Sequence, residues 1–181
     1  MRVAVFLADG FEECEALIVV DILRRAGIET IIASVTQKEE VVSSRHIIVK
    51  SDCLAEEIEY DTVDMIVLPG GRRGTAILSE SSFVKEKCAE FAENKYIAAI
   101  CAAPSILAGM GLVKKAAVHP DFIDKMGDTE VIDQSVVIDR NIITGQGLGA
   151  AFEFSFKLVD ILVGNEKTDE IKKAICFNFA F

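Results

Sequence analysis

The sequence predicts an α/β fold in which a mostly parallel sheet is covered by helices on both faces. Three observations support this. Short apolar runs suit buried strands, helical patterns lie between them, and 181 residues suffice for one core. A near-continuous apolar run is typical of a parallel strand, because both of its faces are buried. Strands that alternate with helices indicate a three-layer sandwich. We therefore expect a single domain that spans residues 1–181.

The first half of the chain supplies three core strands, a short antiparallel pair and one long helix. Residues 2–7 form the first apolar run. The helical pattern of residues 13–26 ends at Gly27, where a glycine commonly caps a helix. The second strand, residues 29–35, is rich in β-branched side chains. The other elements expected here are a short antiparallel pair at 41–43 and 47–50, an acidic connection at 53–62 and a buried strand at 65–68.

The second half of the chain continues with two core strands and four helices. Residues 83–94 are expected to be helical, because their apolar side chains recur at i, i+4, i+7 and i+8. The strand at 96–100 runs directly into Cys101. The other expected elements are helices at 105–112, 152–163 and 168–176, a short apolar segment at 116–118, strand and turn within 130–139, and a last strand at 141–144. One face of the helix at 152–163 is expected to carry Phe152, Phe156, Val159 and Val163.

The composition argues against several classes of function. The formal net charge is −10 and no basic stripe is visible, so no nucleic-acid partner is expected. No apolar run approaches the roughly 20 residues that cross a bilayer, and the N-terminal apolar run lacks the features of a leader. We therefore expect a cytoplasmic protein with no membrane partner. The five cysteines form no C-x-x-C pair, and the two histidines lack metal-ligand spacing, so we expect free thiols, no metal and no cofactor.

The strongest candidate for chemistry is Cys101. In open parallel sheets, sites form beyond the carboxyl ends of the strands. Cys101 ends an apolar strand and turns into a helix, with Pro104 near the first helical turn, as in a nucleophile elbow. A thiol at the start of a helix is expected to have a lowered pKa, because the positive end of the helix dipole favours the thiolate. The alternative is a buried cysteine that serves only as a small apolar side chain.

Groups that could move protons are few. The carboxylates Glu12, Glu13 and Glu15 lie in the loop and turn after the first strand. Most of them are expected to cap the following helix, while one could hydrogen-bond the thiol and carry protons. A cysteine–histidine pair would have to use either His119 or His46, since the chain has no other histidine.

Two glycine-rich loops resemble nucleotide-binding motifs only in part. Residues 69–74 read PGGRRG, which offers backbone N–H donors to an anion but lacks the G-K-[ST] of a P-loop. Residues 145–150 fit the pattern G-x-G-x-x-A, but no acidic residue ends a second strand about 20 residues further on. Neither loop therefore predicts a bound cofactor.

Several motifs follow one another along nearly the whole chain. They are ADGFEECE at 8–15, DILRRAG at 21–27, VLPGG at 67–71, LSES at 78–81, AAICA at 98–102, HP at 119–120 and FEF at 152–154. In order and spacing they resemble the ThiJ/PfpI superfamily, and within it the parkinsonism-associated "DJ-one" branch. The resemblance implies a flavodoxin-like three-layer sandwich, like that of class I glutamine amidotransferases, and a homodimer.

The resemblance also implies a role for each matching position. Cys101 would be the nucleophile, Glu15 the carboxyl beside it and His119 the nearby imidazole. Arg45 would reach across from the partner chain. The positions implied in binding an oxyanion or the substrate are Gly70, Gly71, Ala102, Arg25 and Arg45. Three departures from the family pattern bear on the shape of the pocket: Cys14, Ala103 and Leu148.

Three functions are compatible with these residues. The first is a cofactor-independent, cysteine-dependent glyoxalase or deglycase that acts on small carbonyl substrates, converting methylglyoxal to lactate or acting on early adducts of α-oxoaldehydes. The second is a redox sensor or stress chaperone that uses oxidation of Cys101. The third is a cysteine peptidase, the activity of the superfamily's other branch, which would need a further residue to orient His119.

Overall fold

The computed structural model describes residues 1–177 and is organised around a seven-stranded sheet. The strands in chain order are β1 (Arg2–Leu7), β2 (Glu29–Ser34), β3 (Glu40–Val42), β4 (Ile48–Lys50), β5 (Cys53–Leu54), β6 (Met65–Leu68), β7 (Tyr96–Ile100), β8 (Lys115–Ala116), β9 (Glu130–Val131), β10 (Val136–Asp139) and β11 (Ile142–Gly145). The order in the large sheet is β10-β11-β7-β6-β1-β2-β5. Only its edge pair β10 and β11 is antiparallel. The last four residues of the predicted domain, 178–181, lie outside the described residues.

Helices cover both faces of this sheet. They are α1 (Glu13–Arg25), α2 (Arg72–Glu80), α3 (Ser82–Asn94), α4 (Pro104–Gly109), α5 (Ala151–Val163) and α6 (Asn165–Ala174). The apolar sides of α1, α5 and α6 contribute to one core, and those of α2, α3 and α4 contribute to the other. The predicted α/β sandwich with a mostly parallel sheet is therefore confirmed. Within the described part of the chain, no helix combines the length and apolar character needed to cross a bilayer.

The central strand β1 explains why the sequence alternates as it does. Val3, Val5 and Leu7 face the core beneath α1 and α5, whereas Ala4 and Phe6 face the core on the α3 side. All five are fully buried. Each of the larger side chains contributes roughly 1.5–3 kcal/mol through burial, so the five buried positions of this strand have to be apolar.

Two elements, α2 and β5, are absent from the sequence-based expectations. The buried residues of α2 are only Gly74, Thr75 and Leu78, so the helix carries no apolar stripe that would reveal it. β5 has only two residues and pairs with the end of β2 at the edge of the sheet. It lies within residues 53–62, which were expected to form a connection. A strand of two residues leaves no detectable alternation.

Of the four residues expected to share one face of α5, Phe156 and Val159 are buried, whereas Phe152 and Val163 are 39% and 44% exposed. The buried face continues instead through Phe154, Leu158 and Leu162. Nearly every position of this helix is apolar, so two stripes fit the helical period equally well. Contact with α1 selects the stripe that is buried.

The expected antiparallel pair is confirmed as the hairpin of β3 and β4. This hairpin is fixed to the loop that follows β1. The Gly10 N–H donates to the Val42 carbonyl and the Ser44 N–H donates to the Phe11 carbonyl, both at 2.7 Å. The hairpin turn, which includes Arg45, therefore lies at the carboxyl end of the parallel strands.

Candidate active site

Cys101 lies on a sharp turn between β7 and α4. Its φ angle is +66°, in the left-handed region that costs a non-glycine residue roughly 1–3 kcal/mol. The Cys101 N–H donates to the Gly145 carbonyl, and the Cys101 carbonyl accepts the His119 N–H, both at 2.9 Å. These hydrogen bonds hold the strained turn in place, so the predicted elbow has the geometry that presents a nucleophile.

Glu15 projects toward this turn from the first turn of α1. The residue is 1% exposed. Its Oε2 accepts the Gly70 N–H at 3.0 Å, and the carboxyl lies beside the Cys101 side chain. Oε1 has no hydrogen-bond partner within residues 1–177. Glu12 caps the helix by accepting the Glu15 N–H at 2.7 Å, so the carboxyl beside the sulfur belongs to Glu15.

Gly70 allows these two side chains to meet. A Cβ atom at this position would lie 2.5 Å from Oε2 of Glu15 and 2.6 Å from Cβ of Cys101. Both distances are far inside van der Waals contact. Glycine is therefore required here by close approach of the backbone to both reactive groups.

Burial raises the pKa of both groups. Burial is the largest cause for Glu15, whose pKa rises to about 7, and the charge of Glu12 adds to the rise. Burial is also the largest cause for Cys101, whose pKa rises to about 12, and the carboxylate of Glu15 adds to it. The expected lowering of the Cys101 pKa is therefore wrong. α4 has only six residues, so its dipole is weak, while the thiol faces a buried acid.

The thiol and the carboxyl form a pair that shares a proton. Between pH values of about 7 and 12 the pair holds one proton and one negative charge. The backbone N–H groups of Gly71 and Ala102 favour negative charge on the sulfur and so lower the pKa of the thiol against the effect of burial. The Gly70 N–H stabilises negative charge on Glu15 instead. The shared proton can therefore pass between sulfur and oxygen, which supplies a nucleophile above neutral pH.

Gly71 has a backbone conformation and a close packing that only glycine allows. Its φ angle is +92°, and a Cβ there would collide with the Gly10 carbonyl and lie 2.7 Å from the Glu12 nitrogen. The residues implied as oxyanion donors, Gly71 and Ala102, are thus both brought to Cys101.

His119 lines the clefts on both sides of Cys101. Its Nδ1 accepts the Asp121 N–H at 3.2 Å. In the neutral imidazole the proton must then lie on Nε2. The edge of the ring is close to the loop after β11, since a Cβ built on Gly147 would lie 3.5 Å from Cδ2. His119 therefore offers a hydrogen-bond donor rather than an acceptor.

The two arginines implied by the resemblance are in different places. Arg45 lines both clefts around Cys101 in its own chain, whereas it was expected to reach across from a partner. Arg25 lies at the far end of α1, roughly 15 Å along the helix from Glu15, and pairs with Asp21 at 2.7 Å. Arg25 therefore lines neither cleft of its own chain, and its role near the site stays a prediction.

The larger of the two clefts has a volume of about 620 Å³ and the smaller about 350 Å³. The lining of the larger one includes Cys101, Glu15 and the loop after β11. The exposed side chain of Leu148, one of the departures from the family pattern, forms part of its wall. The site can therefore hold a small carbonyl compound with room for larger substituents.

The sequence did not predict the structural role of Glu13. Its Oε2 accepts a hydrogen bond from the Ser44 hydroxyl at 3.0 Å. Burial tends to raise the pKa of Glu13, but hydrogen bonds from its own N–H, from Ser43 and Ser44 and from the Arg45 N–H leave it below its usual value. Glu13 thus ties α1 to the turn that carries Arg45. The signal in the sequence, a carboxylate at a helix start, suggests only a cap.

A metal site is not evident in the described residues. Within 1–177 no group of three histidine, cysteine or acidic side chains is close enough to hold a metal ion. The chemistry available is that of a thiol, a buried carboxyl, an imidazole donor and backbone N–H groups. Together these can add a sulfur to a carbonyl carbon, stabilise the resulting oxyanion and move a proton.

The fold and the site define a class: flavodoxin-like α/β proteins that carry a cysteine on a strand-to-helix elbow beside a buried carboxyl. Residues 1–161 match the family described as the DJ-1/PfpI family. The chain belongs to this family, as the resemblance predicts.

Three relatives illustrate the extent of the similarity. Protein dj-1beta of Drosophila melanogaster is 37% identical over 94% of each chain. The glutathione-independent glyoxalase DJR-1.2 of Caenorhabditis elegans is 33% identical over 91% of this chain and 90% of the relative. The structure of oxidized DJ-1 from Toxoplasma gondii superposes with a TM-score of 0.93 at 34% identity, covering 98% of this chain and 99% of that one. These values support the flavodoxin-like fold over nearly the whole length.

Proposed function

We propose that this protein is a cofactor-independent glyoxalase that uses Cys101 to convert small α-oxoaldehydes to hydroxy acids. The observation that carries the proposal is the pairing of a buried carboxyl, Glu15, with the Cys101 thiol beneath two backbone N–H donors. A carboxyl with a pKa of about 7 is suited to general acid–base work near neutral pH.

The first step would be addition of sulfur to the aldehyde carbon of methylglyoxal. The proton shared by the pair ends on the Glu15 carboxyl as the carbon–sulfur bond forms. The former aldehyde oxygen gains the negative charge, which the Gly71 and Ala102 N–H groups, together with Nε2–H of His119, can stabilise. Protonation of this oxygen by Glu15 gives a neutral hemithioacetal and returns the carboxylate.

The second step would move one hydrogen between neighbouring carbons. The Glu15 carboxylate removes the proton from the carbon bonded to sulfur, giving an enediolate whose charge is on the former ketone oxygen, and delivers this proton to the former ketone carbon. The hydroxyl proton of the carbon bonded to sulfur passes to the charged oxygen, which leaves a thioester carbonyl beside a hydroxyl group. The product is a thioester of lactate on Cys101. One water molecule then hydrolyses the thioester, which releases lactate and regenerates the thiol. The reaction is thus the addition of one water to methylglyoxal with no external oxidant or reductant.

The similarity to a protein named as a glutathione-independent glyoxalase supports this choice. The test is to incubate the purified protein with methylglyoxal and measure lactate. We expect turnover that Cys101→Ser abolishes and that Cys176→Ser, a change at an exposed thiol, leaves intact. Turnover no greater than that of Cys101→Ser would overturn the proposal.

A second candidate function is redox sensing through Cys101. The Cys101 thiol is partly exposed, and a carboxyl and two backbone N–H groups lie beside it, which favours this function. Cys88, by contrast, is buried without such partners. Intact-mass measurement after mild peroxide treatment tests this function. Rapid gain of two oxygens at Cys101 alone supports it, and an unchanged mass argues against it.

A peptidase is less well supported, because Nδ1 of His119 is occupied by a backbone donor.

We also propose that the protein acts as a cytoplasmic homodimer. The support for a dimer is a set of exposed apolar residues on α1 and on the hairpin joined to it, Leu17, Ile47 and Ile48. The five free cysteines suit a reducing compartment. Light scattering at micromolar concentration is expected to give twice the chain mass, and a monomer at that concentration would contradict the dimer.

A further inference from the structure

A third cleft lies between α2, α4 and the 3-10 helix of residues 120–125. We call it the α2–α4 cleft. Its volume is about 370 Å³, and its lining includes Arg72, Thr75, Phe122 and Lys125 but no acidic residue. In a chain with a net charge of −10, a cleft bounded by two cations and no acid is a local exception. It does not contain Cys101, Glu15 or His119.

The two cations of this cleft converge on one aromatic ring. The guanidinium carbon of Arg72 lies 5.4 Å from the ring centre of Phe122, and Nζ of Lys125 lies 5.1 Å from it. Lys125 makes no ion pair with another residue of the described chain. Arg72 meets Asp121 at 3.3 Å, in a pair that is largely exposed and therefore weak. An anion between the two cations would relieve their repulsion.

A hydroxyl without a partner also lies in the wall of this cleft. Thr75 is 4% exposed, and its hydroxyl has no hydrogen-bond partner within residues 1–177. A buried hydroxyl without a partner is uncommon and needs an explanation. The nearby hydroxyl groups of Ser79 and Ser105 already donate to backbone carbonyls at 2.7 Å. Thr75 is thus the hydroxyl of this cleft with an uncommitted proton.

We propose that the α2–α4 cleft binds an oxyanion, the phosphate or carboxylate group of a small molecule. Arg72 and Lys125 would supply the charge and Thr75 a hydrogen bond. Arg72 and Phe122 also line the smaller cleft that contains Cys101. The anionic end of a substrate can therefore occupy the α2–α4 cleft while its carbonyl group lies at Cys101. This second part rests on the proposed glyoxalase function, whereas binding of the anion does not.

Binding is tested with inorganic phosphate as the probe, by following backbone amide NMR shifts at constant ionic strength. We expect saturable shifts at Thr75 and Ser105 that chloride does not produce. Lys125→Gln and Thr75→Val should each weaken phosphate binding at least fivefold, and Lys38→Gln, an exposed lysine elsewhere, should change it less than twofold. Shifts that chloride reproduces, or wild-type affinity in Lys125→Gln, would overturn the proposal.

A kinetic comparison identifies the source of the anion. Methylglyoxal carries no charge, whereas 4,5-dioxopentanoate carries a carboxylate beyond the same α-oxoaldehyde group. If the anion belongs to the substrate, Lys125→Gln raises the KM for the charged compound several-fold and leaves the KM for methylglyoxal unchanged. If the site takes a free anion, both KM values are unchanged while phosphate binding is lost. Absence of turnover with both compounds would refute the glyoxalase function and leave the NMR result to decide on the anion site.

Discussion

At the scale of single residues, the active site depends on how closely Gly70 lets the backbone approach Glu15 and Cys101. A methyl group at this position has no free space, because its neighbours are a buried carboxylate oxygen and the Cys101 side chain. We expect Gly70→Ala to displace one of the two groups, to cost roughly 1–3 kcal/mol through overpacking, and to lower kcat/KM about 100-fold.

Gly109→Ala is the matched control for this change. A Cβ at Gly109 meets no atom within 4 Å and the residue has an ordinary backbone conformation. Thermal unfolding and lactate formation should both stay close to those of the wild type. Full activity in Gly70→Ala would contradict the close approach described above.

Glu15 makes the reaction dependent on pH. Because the first proton leaves the pair at a pH of about 7, kcat/KM should rise with pH and reach half of its plateau near that value. Glu15→Gln keeps the shape of the side chain but cannot carry the proton, so we expect a loss of 10²- to 10⁴-fold. The measurement is a pH–rate profile from pH 5 to 9. A profile without a step near 7 would count against Glu15 as the proton carrier.

At the scale of elements, the hairpin of β3 and β4 and helix α1 form one supporting unit. Glu13 bridges them through Ser44, and the turn thus fixed carries Arg45 to both clefts. We expect Glu13→Gln to loosen this turn and raise the KM several-fold with little change in kcat, because the groups at the sulfur are untouched. Glu40→Gln, at the exposed start of the hairpin, is the control. A fall in kcat alone would place Glu13 in the chemistry instead.

The sequence predicts the bounds of the buried strands more accurately than it predicts how the helices pack. β1, β6 and β7 have the bounds that the sequence predicts, since burial on both faces requires apolar residues along these strands. The pattern of α5 predicts a helix but not its buried face, because that face depends on packing against α1. The same limit applies within the site. Motif order identifies Glu15 and Cys101, whereas the raised pKa values depend on burial that only the assembled fold creates.

At the scale of the whole molecule, the buried pair links stability to pH. The pKa of Glu15 rises from 4.5 to about 7 on folding, so between these pH values the native state binds the proton more tightly than the unfolded chain does. The contribution of this carboxyl to stability is therefore fully present below pH 4.5 and is lost as the pH rises to about 7. A shift of this size corresponds to about 3 kcal/mol.

We expect the free energy of unfolding of the wild type, compared with that of Glu15→Gln, to fall by up to about 3 kcal/mol between pH 4.5 and 7. Denaturant titrations at several pH values measure this difference, and the comparison cancels other carboxylates such as Glu13 and Asp139, whose lowered pKa values act in the opposite direction. A difference that instead rises with pH would mean that the native pair releases its proton more readily than the unfolded chain. That result would contradict the raised pKa of Glu15, whichever of the two groups keeps the remaining proton.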